Sequence, residues 1–421
     1  MNQEFNQENL GLQYDLKMTI NGIQIQTTNI ISSVLREWIF DRIVTLECVL
    51  TDIGTLVEIS PLYDESPVTI EFSKNNDLEK VKMEFSINVF EIERSMADDG
   101  MLYAIRFIAL QKTNDYFYPI RSRSFRNQTV SEILKQISNN AGVKYIQEIE
   151  SKDNQIWIQS NICDYSFGNH LLKRSFVNIE DRPLFYFNRN NEAIFSSIKT
   201  KTSKKSKFLA INNDYAFLDN GYDNVLKQFK ESLGKDTETL FYKTDIRTKN
   251  IASVLNKKNG YGIDFTYFDF RNFFDYQLSF NFGPLSKLSF QNKSNVKKFV
   301  NGITYNTLSK NCHENYLLAK TQNILIDNLF FNSYMQISVN PNLKLNLGDK
   351  IIMLIYDNLS RMKTGIPNID KVNSGEYIVG GISHDIKKDG LYSMNLTLFR
   401  GGINTSDIQG IDLNLIEANS K

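Results

Sequence analysis

Three histidines, three cysteines and a few closely spaced carboxylates are the side chains whose type and spacing could support covalent or acid–base chemistry in this 421-residue chain. A thiol nucleophile needs a base within hydrogen-bond reach. Cys163 and His170 are seven positions apart across an expected loop-to-helix junction. Cys312 and His313 are adjacent, and on a helix neighbouring side chains point in different directions. His384 follows an expected strand and precedes an Asp389-Gly390 turn, where its ring is expected to bond the hairpin backbone. Glu91 and Glu93 alternate along one strand and so share a face, with Asp98-Asp99 at the turn beyond. Two carboxylates at the right separation are enough for glycoside hydrolysis, but a solvent face and a hairpin tip are the expected roles here. No H-E-x-x-H, G-x-S-x-G or P-loop pattern is present. The expectation is that no residue is catalytic, binds a cofactor or ligates a metal, and that the chain is not an enzyme.

Two tracts could bind phosphates or bases. Lys199 to Lys207 carries five lysines and no acid; a phosphate-binding tract and a solvated linker are both open, and the linker is expected because neither Arg nor aromatics interleave. Residues 208–300 are rich in rings, among them Phe265, Tyr267, Phe268, Phe273, Phe274 and Tyr276. A stacking platform for nucleic acid would need a basic surround, whereas Asp264, Asp269 and Asp275 sit among the rings, so core or subunit packing is expected.

The elements that must carry these residues are mostly strands. Leu16, Met18 and Ile20, then Val44, Leu46, Cys48 and Leu50, then Val68, Ile70 and Phe72, then Met83, Phe85, Ile87 and Val89 recur with period two, as half-buried strands require. The first helix is marked at Thr129 and Glu132, a T-x-x-E capping pattern, followed by Val130, Ile133, Leu134 and Ile137 on one face and a stop at Gly142. Further helices are expected around Ser166–Val177 and from Leu308 to about Thr321. Shifting the chain by 290 positions lays Val89 on Val379, Ile92 on Ile382, Asp99 on Asp389 and Gly100 on Gly390. Two strand–Asp-Gly–strand hairpins therefore coincide, which suggests a pair of related β units.

The expected architecture is mainly β with an α+β insertion: two similar antiparallel β-barrels separated by mixed α/β segments. The divisions are 1–112, a first barrel; 113–198, an α+β unit; 199–307, a linker and aromatic-rich β region able to lend strands to the second barrel; 308–402, the second barrel; and 403–421, a polar tail. Forty-eight basic against 48 acidic residues give zero net charge, so no global field draws the chain to nucleic acid or membrane. Three widely spaced cysteines fit a reducing compartment better than a disulfide framework. No signal peptide is expected at the start, and the longest apolar run, Ile351 to Tyr356, is far shorter than the ~20 residues of a membrane helix.

Two segments carry a family likeness. Ser124-Phe125-Arg126-Asn127-Gln128-Thr129-Val130 through Ile137 resembles the barrel-to-helix junction of phage tail hub proteins and of the N-terminal part of type VI secretion spike proteins. Asn346-Leu347-Gly348-Asp349-Lys350, then Gly375-Glu376-Tyr377-Ile378-Val379, His384, Asp389-Gly390 and Leu396-Thr397-Leu398 looks like their closing barrel. Over residues 13–402 the succession most resembles the central baseplate hub protein of contractile-tailed bacteriophages.

That resemblance implies a homotrimer around a tail axis, adapting a sixfold tail tube to a threefold spike and forming part of the central channel. Its implied partners are the tail tube protein, the spike protein, baseplate wedge proteins, and tape measure protein or DNA in the channel. The implied location is the virion tail baseplate, assembled in the bacterial cytoplasm. No needle repeat, lysozyme-like segment or peptidase segment follows residue 402, so piercing or wall cutting is expected of another chain. The alternatives are the hub of a non-viral contractile injection system and, in a different class, a carboxylate-based peptidoglycan hydrolase of the tail.

Overall fold

The computed structural model describes residues 12–52, 55–74, 80–97, 100–179, 181–212, 236–242, 246–250, 262–269, 274–281, 313–330, 333–357, 368–370, 373–387, 391–400, 407–408 and 411–412. Period-two alternation produces the first run of strands: β1 (Leu12–Ile20), β2 (Ile23–Ile25), β3 (Ile30–Trp38), β4 (Thr45–Asp52), β5 (Pro67–Lys74), β6 (Lys80–Ala97) and β7 (Gly100–Gln111). Along β4 the odd side chains are half-buried and the even ones buried without a break, as expected of a sheet with one face on a core.

The middle of the chain holds β8 (Arg121–Gln128), α1 (Val130–Asn140), β9 (Lys144–Gln147), β10 (Gln155–Ile162), α2 (Asp164–Leu172), β11 (Pro183–Phe187), β12 (Glu192–Ser197) and α3 (Ile198–Ser203). The capping box at α1 is formed from both sides: Thr129 Oγ1 accepts from Glu132 N, and Glu132 Oε2 accepts from Thr129 N. Val130, Ile133, Leu134 and Ile137 all face the interior, and Gly142 ends the turn at φ +74°. A separate core joins these residues to Phe125, Trp157, Phe167, Phe185, Phe187 and Phe195.

The remainder contains β13 (Phe208–Asn212), β14 (Glu238–Tyr242), β15 (Arg247–Asn250), β16 (Gly262–Asp269), β17 (Phe274–Asn281), α4 (Tyr316–Phe330), β18 (Ser333–Val339), β19 (Lys350–Leu354), β20 (Tyr356–Asp357), β21 (Asn368–Ile369), β22 (Gly375–Lys387), β23 (Leu391–Arg400), β24 (Asp407–Ile408) and β25 (Ile411–Asp412). The third helix thus lies further along the chain than its expected span, and Leu308 and Cys312 fall outside the described residues. The second helix begins two residues earlier than expected and ends at Leu172. The aromatic tract sends Phe208 and Tyr242 into a buried core and includes the antiparallel pair β16–β17; the packing expected of Phe265 to Tyr276 lies outside the described side chains.

The main sheet closes on itself twice. One ring runs β3-β4-β7-β6-β5-β1-β23-β22 and back to β3; the other runs β13-β19-β22-β23-β18-β14 and back to β13. The fold is therefore mainly β, with an α+β insertion and two barrels, one of them closed by six strands. Within the six-stranded ring, β13 runs parallel to both β14 and β19, so this barrel is mixed in direction where the period-two reading implied antiparallel pairing throughout. The hairpins matched by the 290-position shift are β6–β7 and β22–β23, and each carries a bulge, between Ile87 and Val89 and between Val379 and Gly381. Their turns lie outside the described residues.

The hairpin β22–β23 belongs to both rings. One edge of β22 pairs β19 at Gly375–Ile378 and then β3 at Gly381–Lys387. The far edge of β23 pairs β18 from Arg400 to Met394 and then β1 at Tyr392 and Leu391. Ile386 and Tyr392 enter the first core, while Val379, Ile382, Met394, Leu396 and Leu398 enter the second. The handover is made at Gly380 and Gly381. A Cβ on Gly380 would lie 2.2 Å from Phe399, and one on Gly381 2.4 Å from Trp38. These two rings meet edge to face, with centroids 5.5 Å apart.

Candidate functional site at the junction of the barrels

Where the two cores meet, the inward positions change from apolar to charged. On β3 and just past its end the inward series runs Leu35, Glu37, Ile39; Leu35 lies in the first core, Ile39 in the second, and Glu37 between them. On β22 the series Ile386, His384, Ile382 makes the same passage. Into this divide reaches Arg189, from the turn joining β11 to β12. Its Nη1 donates to Glu37 Oε1 at 2.8 Å and its backbone N–H donates to Glu37 Oε2 at 2.8 Å. Its Nη2 donates to the carbonyls of Leu343 and Leu345 and to Asn346 Oδ1.

His384 Nε2 lies 3.2 Å from Glu37 Oε1, and its Nδ1 meets the Tyr392 hydroxyl. Burial tends to raise the Glu37 carboxyl, but the Arg189 guanidinium and the His384 hydrogen bond outweigh it and hold the pKa at about 2. Burial, helped by the Arg189 charge and opposed by Glu37, lowers that of His384. A neutral imidazole facing a carboxylate must carry its proton on Nε2, which leaves Nδ1 to accept from Tyr392. The ion pair Glu37–Arg189 is almost wholly shielded, with side chains 0% and 1% exposed. Such a pair is tolerated only when each remaining hydrogen-bonding position is filled, and the carbonyls of the 343–346 segment fill them here. The network ties the α+β insertion to both barrels.

The sequence-derived candidates fall apart in space. Cys163 precedes α2 and His170 lies near its far end, exposed, about 10 Å along the axis at 1.5 Å per residue. His313 is buried against Trp157 and Tyr316, with Nε2 3.2 Å from the Arg174 carbonyl oxygen. His384 bonds two side chains, Glu37 and Tyr392, where a backbone partner was expected. Glu91 and Glu93 stand exposed on β6, opposite Arg106 and Ala104; Asp98 and Asp99 lie outside the described residues. The lysine tract is only partly a solvated linker. Its first half forms α3, capped by Ser197 Oγ accepting from Thr200 N, and Lys201 is buried with Nζ 2.8 Å from Glu148 Oε2. Lys204 meets the other oxygen of the same carboxylate at 2.8 Å.

Sequence reasoning missed Glu37 and Arg189. Nothing local marks them, because 152 positions separate the two partners. A charged residue at an inward position of an otherwise alternating strand was the one available signal.

The same strands border a groove of about 730 Å³ whose lining includes Arg36, Glu37, Trp38, Ser383, Asn395 and Thr397. Among the described residues no group of three or more His, Cys, Asp or Glu side chains is placed to hold a metal ion. No described helix is long and apolar enough to cross a membrane.

Two fused barrels with a mixed insertion make up the fold, and solved structures of tail proteins share it. The tail protein from Neisseria meningitidis MC58 superposes with a TM-score of 0.56 at 10% identity, over 93% of this chain and 98% of its own. The 43 kDa tail protein of prophage MuSo2 from Shewanella oneidensis gives 0.57 at 11% identity, over 92% and 98%. No protein-family model and no curated protein sequence matches the chain.

Proposed function

We propose that the chain is a structural virion protein, the tail baseplate hub. Three copies form a ring that adapts a sixfold tail tube to a threefold spike and lines part of the central channel. The observation that carries this reading is the hairpin β22–β23, which locks two barrels into one body. Two barrels in each of three copies present six related faces to one neighbour and three whole subunits to the other. A barrel pair that could flex would lose that spacing; the buried Glu37–Arg189 pair and the common strands hold it.

In this reading the tail tube protein, spike protein, wedge proteins and the tape measure protein or DNA in the channel are the partners, and assembly takes place in the host cytoplasm. The chain is divided at about 112, 198, 307 and 402, and its work is positioning, not catalysis. The likeness over nearly the whole length of two tail proteins, one of them from a prophage, supports the reading. Image reconstruction of the purified tail tip, with this chain's density counted around the axis, tests it. Three copies in one ring between tube and spike are expected; any other count, or absence from the tip, overturns it.

A further inference from the structure

Among the described residues two strands of the main sheet, one in the first barrel and one beside the second, leave a hydrogen-bonding edge open. β6 pairs β5 only from Lys80 to Ser86, yet continues to Ala97 along β7. Among the described residues the other edge of Asn88–Ala97 has no strand partner. Among the described residues β15 pairs β18 alone and ends the sheet path. Open edges are sites for strand addition unless blunted.

The β6 edge is not simply a charged guard. Val89 and its cross-strand partner Ile108 are 50% and 43% exposed, an apolar pair beside the free backbone. Beyond Val89 the same face carries Glu91 and Glu93, both exposed. β15 is basic: Arg247, which is exposed, is followed two positions on by Lys249, and the strand holds no acid. The two open edges are thus of opposite charge and lie on different parts of the chain. A contact between them is head-to-tail, the kind that generates rings and not closed dimers.

We propose that the Asn88–Ala97 edge of β6 in one copy takes up the basic strand β15 of the next copy as an added strand, with the exposed Glu91 and Glu93 set against Arg247, and that this contact closes the ring. The proposal rests on the trimeric reading above and supplies its interface. Because the contact is ionic at its centre, raising the salt weakens it.

The test uses the full-length protein and sedimentation velocity over a range of concentrations, with circular dichroism confirming an unchanged fold. Wild type is expected to form trimers. E91K/E93K and R247E/K249E are each expected to weaken self-association at least tenfold, and the four changes combined to restore it. The milder E91Q/E93Q is expected to show the smaller loss. Trimers insensitive to these changes, or a combined variant no better than its parents, overturn this interface and leave the trimeric reading standing. A wild-type chain that forms no trimer, alone or at the tail tip, overturns both.

Discussion

Glu37 Oε1 is shared by Arg189 Nη1 at 2.8 Å and His384 Nε2 at 3.2 Å. One carboxylate therefore joins β3, the insertion turn and the common hairpin at the divide between two hydrophobic cores. The consequences of disturbing it are unequal for its partners, because the Arg189 side chain is almost wholly shielded from solvent and permanently charged.

Replacing Glu37 with Gln removes the countercharge and leaves a buried guanidinium. The expected loss is about 3–5 kcal/mol, the usual cost of breaking such a pair, read by urea denaturation. A change below about 1 kcal/mol would show that the pair is not structurally important.

Acidification should destabilise the protein in two stages. His384 is depressed in the folded state, so the unfolded chain binds its proton first, and stability falls as pH drops below about 6.5. Glu37 and Glu148, both held at about 2, add a second loss as pH falls from about 4.5 toward 2. Thermal melts from pH 8 to pH 3 check this. A midpoint that stays level or rises on acidification contradicts the assignment.

Gly380→Ala and Gly381→Ala place a methyl group within 2.4 Å of Phe399 and Trp38 respectively. Overpacking of this kind costs about 1–3 kcal/mol, and either change should alter the fluorescence of Trp38, because Trp38 itself or the Phe399 ring packed against it must shift. Unchanged melting and emission would refute the tight handover.

Asn323 on α4 donates to the carbonyls of Leu172 and Ser175, and Gln322 to those of Asn178 and Asp181. These bonds dock the helix on the loop after α2. Asn323→Leu leaves buried acceptors unpaired and should cost roughly 1–3 kcal/mol. Faster hydrogen exchange across residues 172–182 is the specific sign; an unaltered exchange pattern would argue against the docking role.

Much of the frame could be read from residue order because local rules decided it. Thr129 with Glu132 sets a helix start whatever lies around it, and alternation in β3, β4 and β5 follows from burial on one face. The rest depended on distant partners. β13 is buried at all five positions, as is usual where a strand is covered on both faces, so its sequence shows no alternation and gives no direction. Lys201 looked solvated because Glu148, which draws it inward, comes from another part of the chain. Glu37 and Arg189 are ordinary surface residue types until the fold brings β3 beneath the insertion turn.

Because residues 375–400 supply strands to each ring, neither barrel can close while the chain is still being synthesised up to that point. β7 ends at Gln111, 264 positions before β22 begins at Gly375, so the first seven strands leave the ribosome with the outer edges of both β3 and β1 waiting for partners. Chaperone shielding or slow, late consolidation follows from such long-range closure. Trimming the chain before Gly375 would therefore unmake the beginning of the protein as surely as its end.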